Sequence, residues 1–129
     1  IPGMMRRFHE AKVSKTPEVT VWGSGKPMRE FLHVDDLADA LYLLMDRYES
    51  AQTINVGTGQ ECTISDLAET MKNVTGFPGK ITWDSGKPDG TPRKVVESSR
   101  IRALGWKPQF DLLSGLRSTY RWALENHAF

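Results

Sequence analysis

"VWGSGKPMREFLHVDD", Val21 to Asp36, is the stretch on which the fold turns. Two glycines, Gly23 and Gly25, follow a strand-like run and raise the reading of a dinucleotide-binding loop. That loop needs a strand before the glycines, a helix opening at them and the pattern G-x-G-x-x-G. Only the strand is there: "EVTVW", Glu18 to Trp22, alternates with period two. "GSGKP", Gly23 to Pro27, reads as a turn-rich loop, and "REFLHV", Arg29 to Val34, as a second strand. The helix comes afterwards, capped by Asp35 or Asp36, with Leu37, Leu41, Leu44 and Tyr48 as its apolar stripe. A strand in place of the helix assigns the glycines to a tight turn.

Upstream, Met4, Phe8 and Ala11, with Met5 beside them, share one helix face, and Pro2 suits the first turn. Thr16 and Pro17 end that helix. Downstream, "TINVG", Thr53 to Gly57, reads as a short apolar strand. Thr63 and Asp66 form a capping-box pattern ahead of a helix bearing Leu67, Met71 and Val74, which Gly76 stops. "KITWD", Lys80 to Asp84, is another strand, followed by the loop "SGKPDGTPRK", Ser85 to Lys94. Ser98 or Ser99 caps a short helix ending at Gly105. Asp111 caps the last helix, whose face is Leu113, Leu116, Tyr120 and Ala123, flanked by Trp122 and Leu124. Strands and helices alternate, as in α/β or α+β folds.

At 129 residues the chain has room for one domain with a real core. Its 39% hydrophobic and 26% charged residues are those of a soluble globular protein. A formal net charge of +1 argues against general nucleic-acid binding, which normally needs a large basic excess. Any anion site must be local. Cys62 is the one cysteine, so no intrachain disulfide forms and a reducing, cytoplasmic setting is expected. No run approaches the length of a membrane span. The chain opens on Ile1-Pro2-Gly3 rather than Met, and a piece of a longer protein is expected.

Several residues carry possible chemistry. Trp22 ends a strand beside the glycine loop, where it either stacks on a flat ligand or packs. Arg29 either grips a phosphate with its planar fork or makes a surface ion pair with Glu30 or Asp35. In the 85–94 loop, Lys87, Arg93 and Lys94 either surround a diphosphate or belong to a hydrated turn. Asp89 there either accepts from sugar hydroxyls or pairs with a neighbour. Arg6 and Arg7 read as a solvated helix flank. His9, His33 and His127 show no metal-ligand spacing, and His33 is expected to be packed or hydrogen-bonded. Cys62 has no base near it in sequence and is assigned a structural place. No metal site, nucleophile–base pair or cofactor loop can be assembled.

Taken together, "VWGSGKPMREFLHVDDLADA", "INVGTGQECTISDLAE", "SGKPDGTPRK", "RALGWKP" and "GLRSTYRWALEN" carry the pattern R-E-F-x-H-V-x-D, then N-V-G-x-G, then L-G-W-x-P. This pattern resembles the extended short-chain dehydrogenase/reductase superfamily, whose members modify nucleotide-diphosphate sugars. "KPDGTPRK" and "WGSGKPMREFLHVDD" are similar to those members that epimerise GDP-4-keto-6-deoxymannose at C3 and C5 and reduce C4 with NADPH, giving GDP-L-fucose. The resemblance covers essentially the whole chain but only the C-terminal part of the family's protein.

It implies an α/β fold in which residues 1–129 form the C-terminal substrate-binding portion. Residues 28–59 would pack on, or extend the sheet of, an N-terminal Rossmann domain. NADP(H) would bind in that domain, with its G-x-x-G-x-x-G loop and Ser-Tyr-Lys set. None of those motifs is in this sequence, the family's active-site His falls just upstream of Pro2, and Cys62 does not match the catalytic Cys. No catalytic or cofactor-binding residue is therefore assigned. Arg7, Trp22, Arg29, Asp89 and Lys94 match the positions used on the GDP-sugar, with Arg29 on the nucleotide or its phosphates and Lys94 on the diphosphate. Lys87 and Arg93 are not among them. The chain alone is expected to be inactive, and the full-length enzyme to be a homodimer. Two other readings stand beside this one: another nucleotide-sugar epimerase or dehydratase of the superfamily, or a non-catalytic nucleotide-sugar-binding module.

Overall fold

Pro2 opens the first helix, α1 (Pro2–Val13), where a missing N–H costs nothing. The computed structural model describes residues 1–129. Met5, Phe8 and Ala11 give α1 its buried stripe. Strand β1 (Glu18–Trp22) buries Val19 and Val21 and turns Glu18, Thr20 and Trp22 outward, as its alternation predicts. It pairs in parallel with β4 (Lys80–Asp84), Val19 opposite Ile81 and Trp22 opposite Asp84.

Between them, helix α3 (Ile64–Thr75) starts at the expected capping box. Asp66 N–H donates to Thr63 Oγ1 at 2.9 Å and Thr63 N–H donates to Asp66 Oδ2 at 3.0 Å. It ends at Gly76, whose φ of 69° is left-handed. Helix α5 (Leu112–Glu125) begins at Asp111, paired reciprocally with Ser114. The main core joins α1, β1, α3 and α5 through Met5, Phe8, Leu67, Met71, Leu116 and Tyr120, with Phe77 edge-on to Phe8.

A second sheet follows the glycine loop. Its centre is β2 (Met28–Glu30), antiparallel to β3 (Glu61–Thr63) and parallel to β5 (Arg93–Lys94). Two expected strands are shorter than predicted, or missing. Of "REFLHV" only Arg29 and Glu30 pair, in a strand that starts at Met28, and Phe31 to His33 carry no ladder. Thr53 to Gly57 is not a strand, because no strand in this chain runs beside it to take its amides. Helix α2 (Val34–Arg47) starts one residue before Asp35. His33 is its cap, accepting from Asp35 N–H at 3.3 Å and stacking on Phe110 at 4.0 Å.

The expected stripe of α2 is covered only in part. Ala40, with Leu43 and Leu44, packs on Ile101 of α4 (Ser99–Ala103) and on Trp106. Leu37 and Leu41 are exposed, as are Val34, Tyr42 and Met45. Asp36 takes the buried place instead. Its carboxylate accepts from Gln109 N–H at 2.9 Å and Phe110 N–H at 3.1 Å, tying α2 to the lead-in of α5. No helix is long and apolar enough to cross a membrane.

Candidate nucleotide-sugar site

The site is built where the ends of β1 and β4 meet the β3–β2–β5 sheet. Gly23 N–H donates to Asp84 O at 2.9 Å, and Ser65 N–H donates to Gly25 O at 2.9 Å. Both glycines have positive φ, 83° and 76°. A Cβ on Gly25 would lie 2.7 Å from the Trp83 ring. Gly25→Val is therefore expected to lower stability by about 2–4 kcal/mol, combining left-handed strain with a clash. A thermal melt checks it, and an unshifted midpoint contradicts the packing described.

The 85–94 loop folds back on this turn. Asp89 accepts from Ser24 N–H at 2.7 Å and from Ser24 Oγ at 2.6 Å. These bonds, and more weakly the Lys26 charge, hold its carboxyl below the usual aspartate range. Asp89 is thus bonded to a residue 65 positions away in sequence. Because the folded value is depressed, the clasp is fully present above the ordinary carboxylate range. It is lost as pH falls through the lowered value. The Ser24 amide should stay protected from hydrogen exchange through mildly acid pH and open only below that range. Opening at neutral pH would contradict the clasp.

Arg29 does not pair with Glu30 or Asp35. Its Nη1 donates to the carbonyls of Met28 and Thr91, each at 2.7 Å. Its strand partner across β2–β5 is Lys94, and both line one groove with Val56 and Gly57. Adjacent strands lie about 4.8 Å apart, so the two cationic residues start from neighbouring backbone positions. Glu30, which the sequence reading did not single out, lines the same groove. It accepts from Gly59 N–H at 2.5 Å, Thr58 Oγ1 at 3.2 Å and Val96 N–H at 3.1 Å. Arg93 is ion-paired with Glu61, whose carboxyl it holds below the usual glutamate range.

Trp22 is 67% exposed, so its ring is not a core element, and Lys87 Nζ lies over it at 5.6 Å. Arg7 reaches β1 two residues earlier, donating to Thr20 O at 3.1 Å. Arg29 bonds to the 85–94 loop at Thr91, Asp89 and Lys94 lie in that loop, and Trp22 stands opposite Asp84 at its start. Arg7 meets the same strand from the α1 side. Cys62, half-buried in β3, has its thiol pushed up by burial and then by Asp66, which makes it a poor nucleophile.

The model of the NAD dependent epimerase/dehydratase family matches residues 1–57. The chain is 59% identical over 126 residues to a probable GDP-L-fucose synthase 1 of Oryza sativa subsp. japonica, covering 98% of this chain and 38% of the relative. It is 50% identical over 135 residues to the GDP-L-fucose synthase of Escherichia coli (strain K12), covering 98% and 42%. A GDP-L-fucose synthetase from Naegleria fowleri, solved bound to NADP, superposes with a TM-score of 0.90 at 30% identity, over 98% of this chain and 40% of that one. The chain spans about two-fifths of the length of these relatives. In sequence and in fold, the chain is similar to part of the length of the GDP-L-fucose synthases, and its α/β architecture matches part of theirs.

Proposed function

We propose that this chain supplies the GDP-sugar-binding portion of a cytoplasmic enzyme that epimerises GDP-4-keto-6-deoxymannose at C3 and C5 and reduces C4 with NADPH, forming GDP-L-fucose. The observation that carries this is the pairing of Arg29 with Lys94 across β2–β5, in a chain 59% identical to a probable GDP-L-fucose synthase. A diphosphate is the part of such a substrate that two adjacent cations recognise through charge-assisted bonds. Held there, it anchors the sugar for reaction some distance away, so binding energy serves orientation. The full-length protein, given GDP-4-keto-6-deoxymannose and NADPH, should release GDP-L-fucose. Unconsumed NADPH would overturn the reading.

The residues present do not fit NADP(H) itself. Gly23 and Gly25 lead into β2 rather than a helix, and Asp89 and Trp83 close the space over them. The cofactor is assigned to the rest of the full-length protein, which acts as a homodimer, without nucleic-acid or membrane partners.

Residues 28–59 are assigned to packing against that cofactor-binding part. Two features support this: the unpaired Thr53–Gly57 segment, and the outward face of α2, where Val34 is 69%, Tyr42 76% and Met45 88% exposed. Such a patch promotes association when left in water. The isolated chain is expected to be inactive and to self-associate, and Tyr42→Lys with Met45→Lys to return it toward monomer. Light scattering checks this; a monodisperse monomer before substitution contradicts it.

A further inference from the structure

We propose that Lys87 is a further ligand-binding residue of this site, resting on Trp22 in the free protein and moving to the phosphates when a nucleoside diphosphate stacks its base on that ring. The inference depends on the nucleotide-sugar reading above. The sequence resemblance does not assign Lys87; the structure does, through three observations.

The first is position. Lys87 Nζ lies 5.6 Å from the centroid of the Trp22 ring, which is 67% exposed and is the flat surface offered by this site. The second is construction. Gly86 N–H donates to Asp84 Oδ1 at 3.0 Å and Lys87 N–H donates to Asp84 O at 3.2 Å, while Asp84 stands opposite Trp22 in the ladder. Two residues further on, Asp89 is clasped by Ser24. The backbone on both sides of Lys87 is thus fixed, and only its flexible stem is free to move. The third is availability. Arg93 is ion-paired with Glu61. Lys87 and Lys94 are the loop's cations without a hydrogen bond or carboxylate partner.

The exchange follows from the strengths involved. An ammonium over an exposed indole is weakly held. A charge-assisted bond to a phosphate oxygen is considerably stronger. A ligand that brings a base for the ring and phosphates for the ammonium satisfies both groups at once. A lysine suits this better than an arginine, because a compact charge on a long stem can change partners without keeping a planar fork in register.

The test is calorimetry on the full-length enzyme containing this chain, comparing Lys87→Ala and Arg29→Ala with the unchanged protein. The ligands are GDP and guanosine. For Lys87→Ala the GDP Kd should rise about tenfold, the loss of one bond to a charged group. Guanosine should bind no more weakly than before, since the ring is uncovered. An unchanged GDP Kd, with Arg29→Ala still weakening GDP, overturns the assignment of Lys87 and leaves the nucleotide-sugar reading standing. Equal weakening of guanosine and GDP also overturns it, because it shows Lys87 shaping the ring pocket rather than meeting phosphates. If Arg29→Ala leaves GDP binding unchanged, the anion-site reading itself fails.

Discussion

Asp36→Ala is expected to lower folding stability by about 3 kcal/mol, in the range for losing two backbone hydrogen bonds to a buried charged acceptor. Asp36 is 2% exposed and accepts from both Gln109 and Phe110. Its removal strands two N–H groups in the interior and frees the segment that leads into α5. Asp36→Asn should recover part of the loss, because its one carbonyl oxygen can still accept while its amide nitrogen faces a donor. Urea unfolding measures both. A loss of under about 1 kcal/mol for Asp36→Ala would mean that water already satisfies those amides.

Arg29→Ala in the full-length enzyme should weaken GDP-sugar binding by about 2–3 kcal/mol, the upper part of the range for a charge-assisted bond. Two effects act together. The guanidinium is withdrawn from the diphosphate, and the bond to Thr91 O that holds β5 beside β2 is lost. Lys94→Ala, which leaves the backbone ladder intact, should cost about 1–2 kcal/mol. Equal affinities for all three proteins would remove the anion site.

What the sequence makes legible here is local. The two capping boxes, at Thr63–Asp66 and Asp111–Ser114, span three residues each, and their partners are fixed by helix geometry wherever the helix lies. The ends at Pro2 and Gly76 follow from backbone covalency. Strand limits are not local. A period-two run becomes a strand only if another strand lies alongside, and for Phe31–His33 and Thr53–Gly57 none in this chain does. Conversely, Arg93–Lys94 pairs as β5 although Gly90 and Pro92 make it read as loop. The stripe on α2 misled for a related reason: apolar spacing shows that a face needs covering, not what covers it.

The candidate site follows the same division. Arg29, Trp22, Asp89 and Lys94 are legible by motif, and the structure shows what Arg29 and Asp89 bond to. Their bonding was not legible. Ser24 and Asp89 are 65 residues apart, and nothing in either neighbourhood signals the other. Glu30 and Glu61 look like ordinary strand carboxylates. Only the fold shows that one ties Gly59 to Val96 while the other pairs with Arg93.

The central claim is that this chain binds a GDP-sugar within a larger enzyme. The most direct measurement is the affinity of the full-length protein for GDP, UDP and dTDP, by calorimetry at one salt concentration. The account predicts that GDP binds more tightly than either. Tighter binding of UDP or dTDP would contradict it and place the chain in a nucleotide-sugar enzyme of different substrate.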